Sequence, residues 1–162
     1  RVLFRSVWSL SGESAIRNRT KSLFEDADEE IVLVVGEESK LTDDLFEQLR
    51  EAQNRGTTVL VGTTSERLRD RVTESLPDVE VFVSELEWLS QLDDDPTDTV
   101  SISQLVLVDR SAILVSTTQQ GSVRSEHQEK AVFGSGFENG IVVIARRLMA
   151  TGLGRGADPE RN

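Results

Sequence analysis

The 162-residue chain is 37% hydrophobic and 29% charged, and its net charge is −11. That size and balance suit one globular domain with a real core and exclude a spanning helix, since no apolar run approaches the roughly 18–20 residues needed, so a cytoplasmic location without membrane contact is expected. With no Cys and one His (His127) the chain has no thiolate chemistry and no His-based metal cluster, and with 18 basic residues against 29 acids it is a poor direct ligand for nucleic acid.

Residues 1–10, RVLFRSVWSL, read as a short strand or extended lead-in. A helix follows, with Ile16, Leu23, Phe24 and Ala27 on one face and Ser11 or Ser14 as its cap. EIVLVVG (30–36) is a continuous apolar run ending in Gly, the pattern of a strand buried on both faces. The next helix is capped by Thr42, has Asp43 and Asp44 in its first turn, and carries the stripe Leu45, Phe46, Leu49 and Ala52. Gly56 ends it. TTVLVGT (57–63) is a second buried strand, which completes a βαβ unit. Thr63-x-x-Glu66 reads as a capping box for a third helix, with Leu68, Val72 and Leu76 inward and Pro77 as its stop.

DVEVFVS (78–84) is a further strand, ELEWLSQL (85–92) a helical turn, and DDDPTDT (93–99) a solvated acidic loop. SISQLVLVDRSAILVSTTQQ (101–120) is a pair of strands joined at Asp109-Arg110. Residues 118–128 form a polar loop, 129–136 a short strand, and 137–152 a last helix with Phe137, Ile141, Ile144, Ala145 and Leu148 inward. The domain therefore spans 1–152, and 153–162 form a Gly-rich tail expected to be disordered. Helices alternating with buried strands predict an α/β domain, a mixed sheet flanked by helices.

Three stretches carry a resemblance. "LFEDADEEIVLVVG" through "LTDDLFEQLREAQNRGTTVLVGT" is similar to the opening of the phospholipase-D-like domain of TrmB-type archaeal transcription regulators, which respond to sugars. "QLVLVDRSAILVSTT" resembles the C-terminal part of the phospholipase D signature, and "VWSLSGESAIRNRTKSLFEDA" the start of the regulator's effector domain. The resemblance covers most of residues 7–148. In the enzymes a signature His attacks phosphorus and a Lys two residues on holds the phosphate. Aligned through Asp109, Ile102 stands at the His position, Gln104 at the Lys position, and Val115-Ser116 at the Gly-Ser pair. An Ile cannot attack and a neutral Gln lacks the charge. His127 does not restore the motif, because Lys130 lies three residues on rather than two.

The resemblance thus implies a non-catalytic effector-sensing domain with no cofactor and no metal. Its small-molecule effector would be a sugar by analogy, though sugar contacts of the family can lie in a further β-rich portion that these 162 residues are not expected to include. Candidate ligand contacts are Asp109, Ser116, Thr117 and His127. Each also has a plain reading, Asp109 as a turn residue, Ser116 and Thr117 as strand-end polar groups, and His127 as an exposed loop residue. Only three of the 18 basic residues are Lys, a balance that suits concentrated salt and points to a halophilic archaeon. The chain lacks an initiator Met, so a winged-helix domain carrying any DNA contact is expected upstream of Arg1. Domains of this kind often pair through the edge that carries the signature strands, so a homodimer is the expected assembly. A divergent phosphodiesterase or nuclease, and a ligand-free interaction module, are the alternatives.

Overall fold

The computed structural model describes residues 7–83, 100–119 and 129–136, together with helical residues 140, 142–144, 146 and 147. Seven strands form one sheet: β1 (Val7–Ser11), β2 (Glu30–Val35), β3 (Thr58–Thr63), β4 (Glu80–Val83), β5 (Val100–Val108), β6 (Ala112–Gln119) and β7 (Glu129–Ser135). Their spatial order is β1-β7-β6-β5-β2-β3-β4. The β2–β3 and β3–β4 ladders are parallel and all the others antiparallel, so the mixed α/β sheet expected from the sequence is present. The expected edge is not. β5 and β6 lie in the middle of the sheet, because β7 and β1 extend it beyond β6.

Three helices, α1 (Glu13–Asp26), α2 (Asp43–Asn54) and α3 (Glu66–Ser75), supply one face. Their apolar stripes pack on Ile31, Leu33 and Val35 of β2, Val61 of β3, Val106 of β5 and Leu114 of β6. Val32 and Val34 of β2 face the other way and join Leu105, Leu107, Ile113 and Val142. β2 is therefore buried on both faces, as its unbroken apolar run predicts. In the last helix Val142 is the inward residue, whereas Ile144, expected inward, is 60% exposed. Phe137, Ile141, Ala145 and Leu148 lie outside the described residues, as do 85–99.

The caps refine the sequence reading. Thr42 caps α2, its hydroxyl accepting from the Leu45 N–H at 3.1 Å, and Gly56 follows the helix at φ 99°. α3 is capped by Ser65, which accepts from Leu68 N–H at 3.3 Å, and not by Thr63. Thr63 is the last residue of β3 and fully buried, and its hydroxyl donates to Ser65 O. α1 starts at Gly12, φ 95°, with no side-chain cap, since Ser11 ends β1 and Ser14 is already inside the helix.

One irregularity positions everything that follows. The β5–β6 register slips between Ile102 and Gln104, leaving Ser103 as the extra residue of a β-bulge. Gly36, just after β2, donates to Ser103 O at 2.9 Å. A Cβ there would lie 2.8 Å from Ile102 O. Gly36→Ala must displace the bulge backbone, and is expected to cost about 1–3 kcal/mol by urea denaturation. Gly140→Ala, with open space around the added methyl, serves as control. Equal midpoints for the two variants would refute the close approach.

Candidate functional site

In a regular strand Ile102 and Gln104 share a face. The bulge separates them. Ile102 packs against the Val32, Val34 and Leu105 cluster, while Gln104 is buried on the helical face. There its Nε2 donates to Thr20 Oγ1 at 3.5 Å, and Thr20 donates on to Ile16 O at 2.9 Å. Ser103, which the sequence reading passed over, is fully buried. Its hydroxyl lies 3.3 Å from Ser116 O and 3.5 Å from Glu129 Oε2.

Glu129 opens β7 and is buried. Its partner is Lys40, from the 3-10 turn Glu38–Lys40 that links β2 to α2. The pair is nearly closed off, with side-chain exposures of 15% for Lys40 and 9% for Glu129. On the outer side of the same turn, Glu38 meets Arg67 at 2.7 Å and Arg71 at 3.5 Å, both from α3. Two adjoining clefts surround Lys40. One, bounded by Ile16, Arg17, Thr20 and Gln104, encloses about 460 Å³ of open space, its mouth included. The other, bounded by Glu13, Glu37, Thr118 and Glu129, spans about 480 Å³ of space that is open to solvent. Convergent polar groups in a cleft beyond the carboxyl end of a parallel strand are the usual setting for a small ligand in an α/β sheet.

The four candidates from the sequence do not converge. Ser116, fully buried opposite Gln104, belongs to this site, and its Oγ has no hydrogen-bond partner among the described residues. Thr117 alternates to the other face and donates to Lys130 O at 3.4 Å. His127 lies outside the described residues. Asp109 is five residues along β5 from Gln104, roughly 17 Å away at strand spacing. Its carboxylate accepts the backbone N–H groups of Asp28, Glu29 and Glu30 at 2.8–2.9 Å. Burial alone would raise its pKa, but the three N–H groups outweigh burial and hold it below the ordinary value. Asp109 and Arg110 have φ of 51° and 59°, the left-handed pair of a primed hairpin turn. Among the described residues no cluster of acids or His can hold a metal ion.

No protein-family model and no curated protein sequence matches the chain. Solved structures do. Nuc from Salmonella typhimurium, a phospholipase D family member, aligns over 93% of this chain and 95% of its own at 12% identity, with a TM-score of 0.64. NucT from Helicobacter pylori aligns over 91% and 94% at 10% identity, with a TM-score of 0.60. TrmBL2, an archaeal chromatin protein with a novel mode of DNA binding, aligns over 88% of this chain and 50% of its own at 16% identity, with a TM-score of 0.57. The chain thus has a phospholipase-D-like fold. Among the described residues no helix is long and apolar enough to cross a membrane.

Two outcomes test this geometry. Asp109's folded pKa lies below its unfolded value of about 3.9, so its contribution is complete above that value and fades as pH falls through the folded pKa. Asp109→Asn is expected to cost about 2 kcal/mol at neutral pH, with the gap to the parent closing below about pH 4. A gap unchanged at pH 3 would contradict the clip. Lys40→Met leaves Glu129 buried and alone, at a cost of about 3 kcal/mol, and the double variant Lys40→Met/Glu129→Leu should recover most of it. Simple additivity in that cycle would show that the two side chains do not interact.

Proposed function

We propose that this chain is the non-catalytic effector-sensing and dimerisation domain of a TrmB-like transcription regulator from a halophilic archaeon. The observation that carries the reading is the pair of side chains standing where phosphoryl chemistry needs a nucleophile and a cation. Ile102 offers no lone pair and packs on the opposite face of the sheet from Gln104. Gln104 is neutral and engaged with Thr20. The polar clefts beside Gln104 and Lys40 offer a place for a small effector, whose binding would favour one arrangement of the domain over another.

TrmBL2 supports the modular part of the reading, since the aligned region is half of that DNA-binding protein. In this chain DNA contact is assigned to another module, because a net charge of −11 offers phosphate little attraction. The acid-rich, lysine-poor composition supports the halophilic origin.

A divergent phosphodiesterase is the second reading, favoured by the higher TM-scores of Nuc and NucT. Bis-p-nitrophenyl phosphate in molar KCl separates the two. Nitrophenolate release at the buffer rate is expected. Turnover above that rate that disappears in Gln104→Ala would establish the enzyme instead.

A further inference from the structure

The floor of the two clefts around Lys40 offers acceptors in search of donors. Gln104 lines the first cleft and Glu129 the second, and both are more than nine-tenths buried. Glu129 meets Lys40 Nζ and Ser103 Oγ on Oε2 alone, and its Oε1 has no partner among the described residues. Gln104 is oriented by its neighbour. Thr20 gives its proton to Ile16 O at 2.9 Å, so toward Gln104 it can only accept. The amide nitrogen therefore lies on Thr20, and the Gln104 carbonyl is left without a partner among the described residues. Ser116 stands opposite Gln104 on the same face, two residues before Thr118 of the second cleft, and its fully buried Oγ is unpartnered too. A buried acceptor with no donor is a cost that a donor-bearing ligand removes.

The rim carries the matching charge. Both cations at the clefts are engaged, Arg17 with Glu13 at 3.1 Å and Lys40 with Glu129. That leaves one carboxylate in each cleft with no cation among the described residues, Asp44 in the first and Glu37 in the second. An anionic ligand is repelled by this pair, and a neutral one leaves it uncompensated. The acids do not converge tightly enough to hold a metal ion, so the charge calls for an extended organic cation. The protein itself shows which head group fits, because Lys40 already sets an ammonium against Glu129. An ammonium brings three donors and no acceptor. Ile16 and Leu45, both buried, give the first cleft an apolar wall for methylene groups.

We propose that the adjoining clefts bind a short aliphatic diamine, with one ammonium in each. The Gln104 carbonyl and Asp44 receive one end, Glu129 Oε1 and Glu37 the other, and the methylenes lie along Ile16 and Leu45. The proposal rests on the effector-sensing reading above and adds the chemical class of the effector. In concentrated salt the attraction of the rim is screened, so selectivity falls to the buried acceptors, which salt reaches least.

Titration calorimetry in molar KCl tests this with putrescine, using butanediol and succinate as neutral and anionic probes of the same four-carbon length. Putrescine is expected to bind at least tenfold more tightly than either. Glu37→Gln and Gln104→Met are each expected to weaken it at least tenfold with circular dichroism retained. Glu37 has no ion pair to lose, so that variant carries the test alone if Gln104→Met unfolds. Glu80→Gln, on exposed β4 away from the clefts, removes the same charge and should leave binding unchanged. Equal loss in Glu80→Gln, or no loss in the cleft variants, assigns binding to diffuse attraction by the net charge of −11 and overturns the site. No putrescine binding, with butanediol, succinate or a member of a panel of sugars, amino acids and nucleotides bound instead, overturns the diamine and leaves effector sensing standing. No binding by any of these compounds overturns both.

Discussion

The arrangement of the sheet depends on one carboxylate. Asp109 sits at the tip of the β5–β6 hairpin and accepts three successive backbone N–H groups, from Asp28, Glu29 and Glu30, while its own N–H donates to Glu30 O. The hairpin tip is thereby fixed to the start of β2. From that point the antiparallel ladder has no freedom of register: Val108 falls on Ile31 and Gln104 on Val35. A slip by one residue would turn Val106 and Val108 out of the helical core and Leu105 and Leu107 into it. The left-handed φ of Asp109 belongs to the same device, because Asp tolerates that conformation and carries the acceptor in one residue.

The other end of β5 carries an extra residue in its pairing with β6. It appears as Ser103, where β5 leaves β2 and Gly36 lets the two backbones close. The bulge turns Ile102 to one face and leaves Gln104 on the other. It also buries the Ser103 hydroxyl beside Glu129. The chemistry at this end of the sheet therefore follows from the bulge, which decides the face on which each of these side chains falls.

Much of this was legible in the sequence and some of it was not, for identifiable reasons. The apolar runs of β2, β3 and β5 and the stripes of α2 and α3 announce themselves, since burial repeats at the period of the element. The turn at Asp109-Arg110 was legible too, but not what the Asp holds: its partners lie about eighty residues back in the chain. A bulge leaves no mark in a run such as SISQLV, so Ser103 passed unnoticed and Ser116 and Thr117 looked like one cluster although they face opposite ways. Lys40 and Glu129 are common residues 89 positions apart, and only the sheet order brings them together. The capping box was misread because Thr63-x-x-Glu66 and Ser65-x-x-Leu68 overlap. Burial of Thr63 in the last rung of β3 decided between them.

The turn that carries Lys40 is held from two sides, and the two holds are unequal. Outside, Glu38 meets Arg67 and Arg71 with its side chain 43% exposed, where ion pairs contribute about 0–1 kcal/mol and salt screens them. Inside, Lys40 and Glu129 are largely withdrawn from water, so neither can lose the other without leaving a charge that burial penalises. In concentrated salt the outer hold weakens and the inner one persists. The position of the turn is then set from within the cleft. Whatever alters the surroundings of Lys40 acts on the segment joining β2 to α2, while α3 stays seated in the core through Leu68 and Val72.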